Sequence, residues 1–537
     1  MTTLVRDTGA LTRDALAVLQ PGFPGTSAPS WLLRQLEEGL CSVGLFGRNI
    51  DSPGQLAELT AELRAVRPEV LVAIDEEGGD VTRLESRTGS SFPGNLALGA
   101  VDDPELTRAV ARELGCRLAA CGVNLNWAPS ADVNSNPDNP VIGVRSFGDD
   151  PQLVARHTVA WVEGLQSAGV AACVKHFPGH GDTAVDSHLA LPRIDADLET
   201  LRDRELVPFR AAVAAGSKCV MSAHILLPAL DDALPGTLSP AALTGLLRAP
   251  RSAGGLGHDG LIVTDGMEMQ AISATYGLER GSVLALAAGA DAICVGGGLN
   301  DEDTVLRLRD ALLKAVRDGE LAAERLADAA ARVRALARWA RGAGASTVQE
   351  GNAPGPSAPG GPGPGTGTAS GSAGTAVGAE PVGLVAARRA LRVTGGRGYR
   401  PPTGPPFVAS FAAGANIAVG DETPWGLAAE LERLLPGTTT AAYGPPEPGT
   451  AASAPVADVL GAAGDRRIVA VVRDVHRHTW MAEALEALLT ARPDTVVVEM
   501  GVPQAPPAGA LHIATHGAAR VCGRAAAEVV AGKGAGA

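Results

Sequence analysis

The sequence predicts an α/β protein in which a (β/α)8 TIM-like barrel is followed by a flexible linker and a smaller α/β sandwich domain. Three observations favour this class. Short apolar runs alternate with helical patterns over residues 1–341, a stretch dense in Gly, Pro, Ser and Ala follows at 342–379, and the alternation resumes over 380–537. The length of 537 residues is also too great for one ordinary core.

The barrel prediction depends on eight apolar runs of strand length. They lie at residues 17–20, 42–46, 70–74, 123–127, 170–174, 218–223, 261–264 and 292–295. Helical patterns separate or follow them at 53–66, 104–121, 151–168, 198–215, 304–317 and 321–341. Strands joined by helical crossovers run parallel, and eight of them favour a closed barrel over an open sheet.

The C-terminal segment repeats this alternation on a smaller scale. Apolar runs at 417–419, 468–472, 496–498 and 513–515, with a helical stretch at 480–490, predict a mainly parallel sheet. This segment contains histidines. Neither a nucleophile nor a Gly-rich phosphate loop accompanies these histidines. We therefore interpret it as a structural or substrate-shaping domain.

Composition excludes several classes of partner. A formal charge of -14 without a basic stripe argues against nucleic acid, because phosphate binding depends on clustered Lys and Arg. No apolar run is long enough to cross a membrane, and the first thirty residues lack the pattern of a secretory signal. The seven cysteines show no C-x-x-C spacing and resemble buried apolar side chains of a reducing compartment. We expect a cytoplasmic location.

Chemistry-bearing residues are concentrated in one fourteen-residue segment, KHFPGHGDTAVDSH, which runs from Lys175 to His188. Its Gly and Pro residues exclude a regular helix and predict a strand that enters a structured loop. Within the loop, Asp186 and His188 are two residues apart, so in extended backbone both side chains can point the same way. The carboxylate would then orient the imidazole as a general acid and base.

Two alternatives remain open for this segment. His176, His180, Asp182, Asp186 and His188 are all possible metal ligands, although Pro178 and Gly179 disrupt the helical spacing that a zinc helix requires. The histidines could also simply cap strand ends and bind backbone atoms.

Other polar residues follow the predicted strands. They are Asp75 to Gly79 after the third strand, 126–129 after the fourth, Lys175 and His176 after the fifth, His224 after the sixth, and Asp265 with Gly266 after the seventh. Because the carboxyl ends of barrel strands share one face, we expect these residues to converge on a single site.

The first 340 or so residues resemble glycoside hydrolase family 3, and within it the NagZ-type bacterial β-N-acetylglucosaminidases. The motif of that group, K-H-[FI]-P-G-H-G and, after four further residues, D-[ST]-H, is matched without a gap from Lys175 to His188. The related β-glucosidases are similar in the barrel but lack the D-[ST]-H loop. The resemblance therefore implies a β-N-acetylglucosaminidase.

The resemblance also implies roles for individual residues. The family nucleophile lies after the seventh strand in a pattern like [ST]-D-x-x-x-M, and LIVTDGMEM places it at Asp265, with Glu268 as a competing carboxylate. The substrate-binding positions of the family fall on Asp75, Arg83, Arg145, Lys175 and His176. One departure is Asp80, which stands where the family often has a basic residue, and which adds negative charge near Asp75.

The resulting hypothesis is a retaining exo-hydrolysis of terminal β-linked N-acetylglucosamine through a covalent glycosyl-enzyme intermediate. Alternatives are a phosphorylase that uses phosphate in place of water, a β-glucosidase-like family 3 hydrolase, and a catalytically silent sugar-binding protein. None of these schemes requires a metal or an organic cofactor. The expected partners are small carbohydrates such as β-N-acetylglucosaminides, muropeptides or chitobiose, and neither nucleic acid nor a membrane.

Overall fold

A computed structural model describes most of the chain. The described residues are 8–186, 190–298, 301–351, 380–395, 399–412, 419, 423–447, 451 and 453–533.

The first domain is built on parallel strands. They are β1 Leu19–Pro21, β2 Ser42–Leu45, β3 Leu71–Ile74, β4 Leu125–Asn126, β5 Ala171–Phe177, β6 Cys219–Ser222, β7 Leu261–Thr264 and β8 Ile293–Val295. All eight predicted runs are therefore strands. The order β2-β3-β4-β5-β6-β7 forms one six-stranded parallel sheet, and β1 pairs with β8.

In the described residues, the eight strands do not form one continuous ladder of backbone hydrogen bonds. An isolated bridge, Val263 to Ala292, links β7 to the residue before β8, and the Thr264 N–H donates to the Ala292 carbonyl at 3.0 Å. Between β1 and β2, the Ser42 hydroxyl donates to the Leu19 carbonyl at 3.1 Å. The sheet is thus a curled parallel sheet, and its closure into an eight-stranded barrel stays a prediction.

Helices cover the outside of this sheet. They are α1 Thr8–Ala17, α2 Ser30–Glu38, α3 Pro53–Val66, α4 Asn95–Val101, α5 Pro104–Ala120, α6 Pro151–Ser167, α7 Leu198–Thr200, α8 Leu206–Ala214, α9 Gln270–Tyr276, α10 Leu278–Ala288, α11 Glu302–Arg317 and α12 Ala323–Gly351. Three of them begin with the same local signal, because Ser52, Asp103 and Asp150 each accept a backbone N–H bond as N-caps, directly before a proline.

Two predicted helices differ from the structure. The helix predicted at 198–215 is divided into α7 and α8 by a wider π-helical turn at Leu201–Glu205. The helix predicted to end at 341 continues to Gly351, ten residues into the predicted linker. The stretch 342–351 contains no proline to end the helix, and its Ala, Gln and Glu residues are good helix formers. The rest of the predicted linker, 352–379, lies outside the described residues.

The C-terminal domain is a second α/β layer structure. Its strands are β9 Arg392–Gly395, β10 Phe407–Phe411, β11 Thr439–Tyr443, β12 Ile468–Val472, β13 Val496–Glu499 and β14 Leu511–Ala514, in the order β11-β10-β12-β13-β14-β9. Only β9 is antiparallel to its neighbour, so the predicted mainly parallel sheet is confirmed. Its helices are α13 Val382–Ala390, α14 Ala428–Leu434, α15 Ala454–Ala463, α16 Thr479–Ala491 and α17 Arg520–Val530.

Three strands of this domain were not predicted. The edge strands β9 and β11 carry mostly exposed residues and therefore lack an apolar run. The strand predicted at 417–419 is not observed among the described residues. Residues 417 and 418 lie outside them, and Val419 lies in a turn. The strand of this region is instead β10, whose residues are nearly all buried.

The interior of the first domain is largely apolar, and buried charged groups are found in it beside the strand ends, among them Lys175, Glu77 and Asp132. Every residue of β5 is buried, and Phe177 at its end packs edge-on against Phe209 at a centroid distance of 5.4 Å. All seven cysteines are free, and Cys116 alone among them is exposed. Within the described ranges, no helix has the length and apolar character to cross a lipid bilayer.

Candidate active site

One cleft of about 520 Å³ lies at the carboxyl ends of the first-domain strands. Its walls include all five predicted substrate-binding residues and the predicted nucleophile, namely Asp75, Arg83, Arg145, Lys175, His176 and Asp265. Parallel strands bring their carboxyl ends to one face, which is why residues 190 positions apart in the sequence meet here. Trp127 from the end of β4 also lines the cleft, as the strand-end argument predicts.

A buried charge cluster occupies one side of the cleft. Lys175 has 2% of its surface exposed, and its Nζ lies 2.6 Å from Glu77 Oε1 and in contact with Asp75 Oδ1. Arg145 donates two parallel hydrogen bonds to the same Glu77 carboxylate, from Nε to Oε2 at 3.0 Å and from Nη2 to Oε1 at 2.7 Å. Such a bidentate pair fixes both side chains, and Glu77 thereby orients two of the predicted sugar-binding cations.

The ionisation of this cluster is set by its own members. Burial opposes the charge on Glu77, but Arg145 and Lys175 together hold its pKa well below the usual range. Burial likewise opposes the charge on Lys175, and Asp75 and Glu77 reverse this and raise its pKa. Glu77, Arg145 and Lys175 are therefore charged at neutral pH, and the two cations can donate charge-assisted hydrogen bonds to hydroxyls.

Arg83 reaches the cleft from the loop after β3. Its Nη2 lies 3.6 Å from Asp75 Oδ2, and its Nη1 donates to the Val419 carbonyl of the C-terminal domain at 3.3 Å. The guanidinium is thus held between a carboxylate of the first domain and a backbone oxygen of the second.

His176 and His180 are organised by a buried carboxylate that we did not predict. Asp132 Oδ2 lies 2.7 Å from His176 Nδ1, and its Oδ1 accepts the backbone N–H of His180 at 2.7 Å. Burial opposes ionisation of Asp132, but His176 holds its pKa below the usual range. With Nδ1 facing Asp132, His176 Nε2 lies on the side of Arg145, at 3.4 Å from Nη2.

Asp132 follows a strand end by six residues, which is too far for the strand-end signal to have singled it out. Glu77 lies within the predicted Asp75 to Gly79 segment, but we gave it no role. A second carboxylate so close to Asp75 only becomes interpretable when Arg145 and Lys175 are seen on either side of it.

His180 is a neutral ring at the edge of the cleft. Burial, helped by the neighbouring His176, lowers its pKa to about 4. Its Nδ1 lies 2.7 Å from Thr183 Oγ1. The metal interpretation of the segment therefore loses support, because Asp132 and Thr183 engage two of its histidines and Asp182 pairs with Arg204 at 2.6 Å. Within the described ranges, no group of three or more His, Cys, Asp or Glu is placed to hold a metal ion.

Asp265 directly follows β7 and faces the cleft. Its backbone N–H donates to the Ser222 carbonyl at 3.1 Å, and its Oδ1 accepts the N–H of Gly266 at 2.8 Å. His224, predicted at a strand end, supports this turn, because its Nε2–H donates to the Gly266 carbonyl at 3.0 Å. The carboxylate is thus fixed at a strand end beside the charge cluster.

Glu268, the competing carboxylate, is used differently. Its Oε1 accepts the backbone N–H of Gly296 at 3.0 Å and also contacts the N–H of Gly297. It therefore anchors the loop after β8.

The predicted acid and base loop is only partly described. Its stem is bound to the loop after β4, because Asn139 Nδ2 donates to the carbonyls of His180 at 2.8 Å and Gly181 at 3.0 Å. Asp186 lies in the described part and is half-buried. His188 lies outside the described residues, so the predicted Asp186–His188 dyad stays a prediction.

Glu76, a buried residue next to the cleft, should make the stability of the fold depend on pH. Its Oε2 accepts the backbone N–H groups of Arg83 at 2.7 Å and Leu84 at 2.9 Å, and burial nonetheless raises its pKa to about 7. A carboxyl with a raised folded-state pKa binds its proton more tightly when folded, so it stabilises the fold at low pH. This stability is lost as pH rises from 4.5 to 7.

Glu76→Gln should remove this pH dependence, because the amide oxygen can still accept both backbone bonds. The unfolding free energy of the variant relative to wild type should rise between pH 5 and pH 8, by about 3 kcal/mol at most. Urea unfolding at the two pH values measures the difference. A difference that is the same at both would contradict the raised pKa.

The first domain is similar to proteins of a known family. The model described as the N-terminal domain of glycosyl hydrolase family 3 matches residues 29–336. Beta-hexosaminidase A of Pseudoalteromonas piscicida is 34% identical over 316 residues, which are 54% of this chain and 52% of that protein. The chain thus spans about half the length of this relative. The beta-hexosaminidase of Neisseria meningitidis serogroup C is 36% identical over 286 residues, or 52% of this chain and 76% of the relative.

Solved structures extend the similarity to the C-terminal domain. A glycoside hydrolase family 3 beta-N-acetylglucosaminidase from Paenibacillus sp. str. FPU-7 is similar with a TM-score of 0.81 at 34% identity, over 98% of this chain and 97% of that chain. A two-domain architecture is consistent with that coverage. Because the family model matches more than half of the sequence, the chain belongs to glycosyl hydrolase family 3 and is a glycoside hydrolase.

Proposed function

We propose that this glycoside hydrolase is a retaining exo-β-N-acetylglucosaminidase that releases terminal β-linked N-acetylglucosamine. The observation that carries the proposal is the position of Asp265, which shares one cleft with the Asp75, Lys175 and Arg145 charge cluster. A carboxylate at a fixed strand end can attack the anomeric carbon of a sugar that this cluster binds. The similar structure from Paenibacillus, a beta-N-acetylglucosaminidase, supports the choice of N-acetylglucosamine, and the curated relatives are beta-hexosaminidases.

In the proposed mechanism two groups act on the glycosidic bond. Asp265 attacks the anomeric carbon and forms a glycosyl ester while His188, oriented by Asp186, protonates the leaving oxygen. The imidazole then removes a proton from water, and the water displaces Asp265 with overall retention of configuration. Asp75, Arg83, Arg145, Lys175 and His176 would hold the sugar hydroxyls meanwhile.

Turnover of an aryl β-N-acetylglucosaminide by the full-length chain tests the activity. We expect release of N-acetylglucosamine, with the β anomer formed first when the reaction is followed by NMR. The matched aryl β-glucoside should react more slowly. First formation of the α anomer would contradict retention, and faster turnover of the glucoside would favour the β-glucosidase-like alternative.

The phosphorylase alternative is decided in the same assay. Phosphate is added at several concentrations, and the products are analysed for a sugar 1-phosphate. Hydrolysis predicts free sugar at every phosphate concentration. Muropeptide fragments and chitobiose, the two natural substrates that we propose, are then compared by product analysis.

The dyad gives a prediction of its own. His188→Ala should lower turnover of an aryl substrate with an activated leaving group by about 10²-fold, because general acid and base catalysis typically contributes that much or more. The loss should be greater for chitobiose, whose sugar leaving group needs the proton. Asp186→Asn should give a smaller loss in the same order. Equal losses with both leaving groups would contradict a proton donor at His188.

A further inference from the structure

Asp80, the departure from the family pattern, makes a buried contact with the C-terminal domain. Its carboxylate Oδ2 lies 2.5 Å from Arg473 Nη2, and its Oδ1 accepts the backbone N–H of Ala518 at 2.7 Å. Only 2% of the Asp80 side chain is exposed. Arg473 therefore balances the negative charge that Asp80 brings near Asp75.

The Arg473 end of this contact is firmly held. Arg473 follows β12, and the next residue, Asp474, accepts the N–H of Val502 at 2.7 Å through its side chain. The backbone N–H of Asp474 in turn donates to the buried carboxylate of Glu499 at 3.0 Å. The contact thus joins Asp80 to the carboxyl ends of β12 and β13, the rigid centre of the second sheet.

The Asp80 end belongs to the loop that carries two proposed sugar-binding residues. This loop, residues 75–84, folds back on itself, because the Glu77 N–H donates to the Val81 carbonyl at 3.0 Å. Glu76 closes it by accepting the N–H groups of Arg83 and Leu84. A shift of Asp80 would therefore be transmitted to Asp75 at one end of the loop and to Arg83 at the other.

A second tie between the domains lies at the same loop. Arg83 bridges Asp75 and the carbonyl of Val419 in the C-terminal domain, as described above. The 75–84 loop is thus bound to the second domain at Asp80 and again at Arg83.

We propose that Arg473 is a positioning residue for the sugar pocket: through its ion pair with Asp80, the C-terminal domain fixes the 75–84 loop and so sets Asp75 and Arg83 for the substrate. This inference deepens the proposed function and depends on it for its kinetic readout. Arg473 itself does not line the catalytic cleft, so its effect would pass through Asp80.

The experiment compares KM and kcat of the full chain with those of Arg473→Met, using the aryl β-N-acetylglucosaminide. We expect KM to rise about tenfold, with a smaller fall in kcat, since coupling through a network of contacts has this size. Arg389→Met is the matched control. It removes another ion pair between the domains, that of Arg389 with Asp103 at 2.8 Å, which lies away from the loop, and KM should not change.

A double variant separates positioning from folding. Asp80→Asn with Arg473→Met removes the Asp80 charge that the single variant leaves without its cation, so its melting temperature should partly recover relative to Arg473→Met alone, while KM stays raised. The recovery is partial, because Asp474, whose Oδ2 lies 3.7 Å from Arg473 Nε, also loses this cation. Because both substitutions break the same contact, their effects on KM should not add. If KM and the melting temperature of the double variant both return to the wild-type values, the Asp80–Arg473 ion pair serves only the stability of the fold.

Hydrogen exchange gives a readout that needs no substrate. Deuterium uptake of peptides covering residues 75–84 should rise in Arg473→Met and not in Arg389→Met. If wild type does not hydrolyse the substrate, the proposed function is wrong. The difference in deuterium uptake between Arg473→Met and Arg389→Met still shows whether Arg473 fixes the 75–84 loop. Unchanged uptake in Arg473→Met would overturn the inference.

Discussion

Replacement of Asp265 by alanine is expected to lower kcat/KM for an aryl β-N-acetylglucosaminide by at least about 10⁴-fold, the scale on which loss of a covalent nucleophile acts. The reason is geometric. Backbone bonds to Ser222 and Gly266 fix the carboxylate at the end of β7, facing the cleft that also holds the charge cluster. The fold should remain intact, because the side chain is part of the cleft wall and not of the core.

Glu268→Gln is the matched control for this prediction. Glu268 lies three residues on and lines the same cleft, but its Oε1 binds the loop after β8, and an amide oxygen can keep those bonds. We expect less than about a tenfold loss of kcat/KM, since no bond-forming role is removed. A large loss in Glu268→Gln together with an active Asp265→Ala would assign the nucleophile to Glu268.

Trapping of the intermediate checks the same assignment directly. Azide, added to Asp265→Ala, should restore part of the rate and give the α-glycosyl azide, because a small anion can occupy the space of the missing carboxylate. With wild type and a slow, 5-fluoro-substituted N-acetylglucosaminide, which keeps the 2-acetamido group, the mass of a glycosyl adduct should map to the peptide containing Asp265. An adduct on another peptide would contradict the proposed mechanism.

The parts of the fold that the sequence predicted are those with a local signal. Each first-domain strand is a short apolar run between helices, and Ser52, Asp103 and Asp150 mark helix starts with caps that a reader of the sequence can find. Closure of the barrel has no such signal. It depends on hydrogen bonds between β1, β2, β7 and β8, whose register is set by packing between distant segments.

The residues of the candidate site could likewise be predicted only where the local sequence marks them. Asp75 and Asp265, which directly follow β3 and β7, were placed in one site because the topology alone brings strand ends together. Lys175 lies in the same cleft, although it falls within β5, whereas the sequence predicted it after the strand. Asp132 and Arg473 were not identified, because their importance comes from contacts with partners 44 and 393 positions away. No spacing in the sequence marks such pairs.

Lys175→Met is expected to have the second large effect, on stability as well as on activity. The substitution keeps the volume but leaves Asp75 and Glu77 without their shared cation in a buried cluster. Removal of one partner from a buried ion pair costs about 3–5 kcal/mol, because an uncompensated charge remains. Activity should fall by at least about 10²-fold, since truncating a buried charge partner costs 2–5 kcal/mol in binding.

The loss of stability should depend on pH in a defined direction. In wild type the depressed pKa of Glu77 contributes stability above pH 4.5, which is lost only as pH falls through the folded-state pKa. Without Lys175 that contribution shrinks, so the stability gap between wild type and variant should stay constant from pH 7.5 to pH 5 and should narrow as pH falls below 4.5. Urea unfolding at pH 7.5, pH 5 and pH 3.5 measures this, and a gap that is as large at pH 3.5 as at pH 5 would contradict it.

Two further variants separate the charge balance from sugar binding. Lys314→Met, which removes an exposed lysine paired with Asp318, should change neither stability nor activity measurably. Asp75→Asn combined with Lys175→Met should recover part of the stability, because one of the two carboxylates that lost the Lys175 cation is gone, and Glu77 keeps its bonds to Arg145. Its activity should remain low, because two proposed contacts to sugar hydroxyls are then missing. Recovery of activity along with stability would mean that Lys175 serves the fold alone.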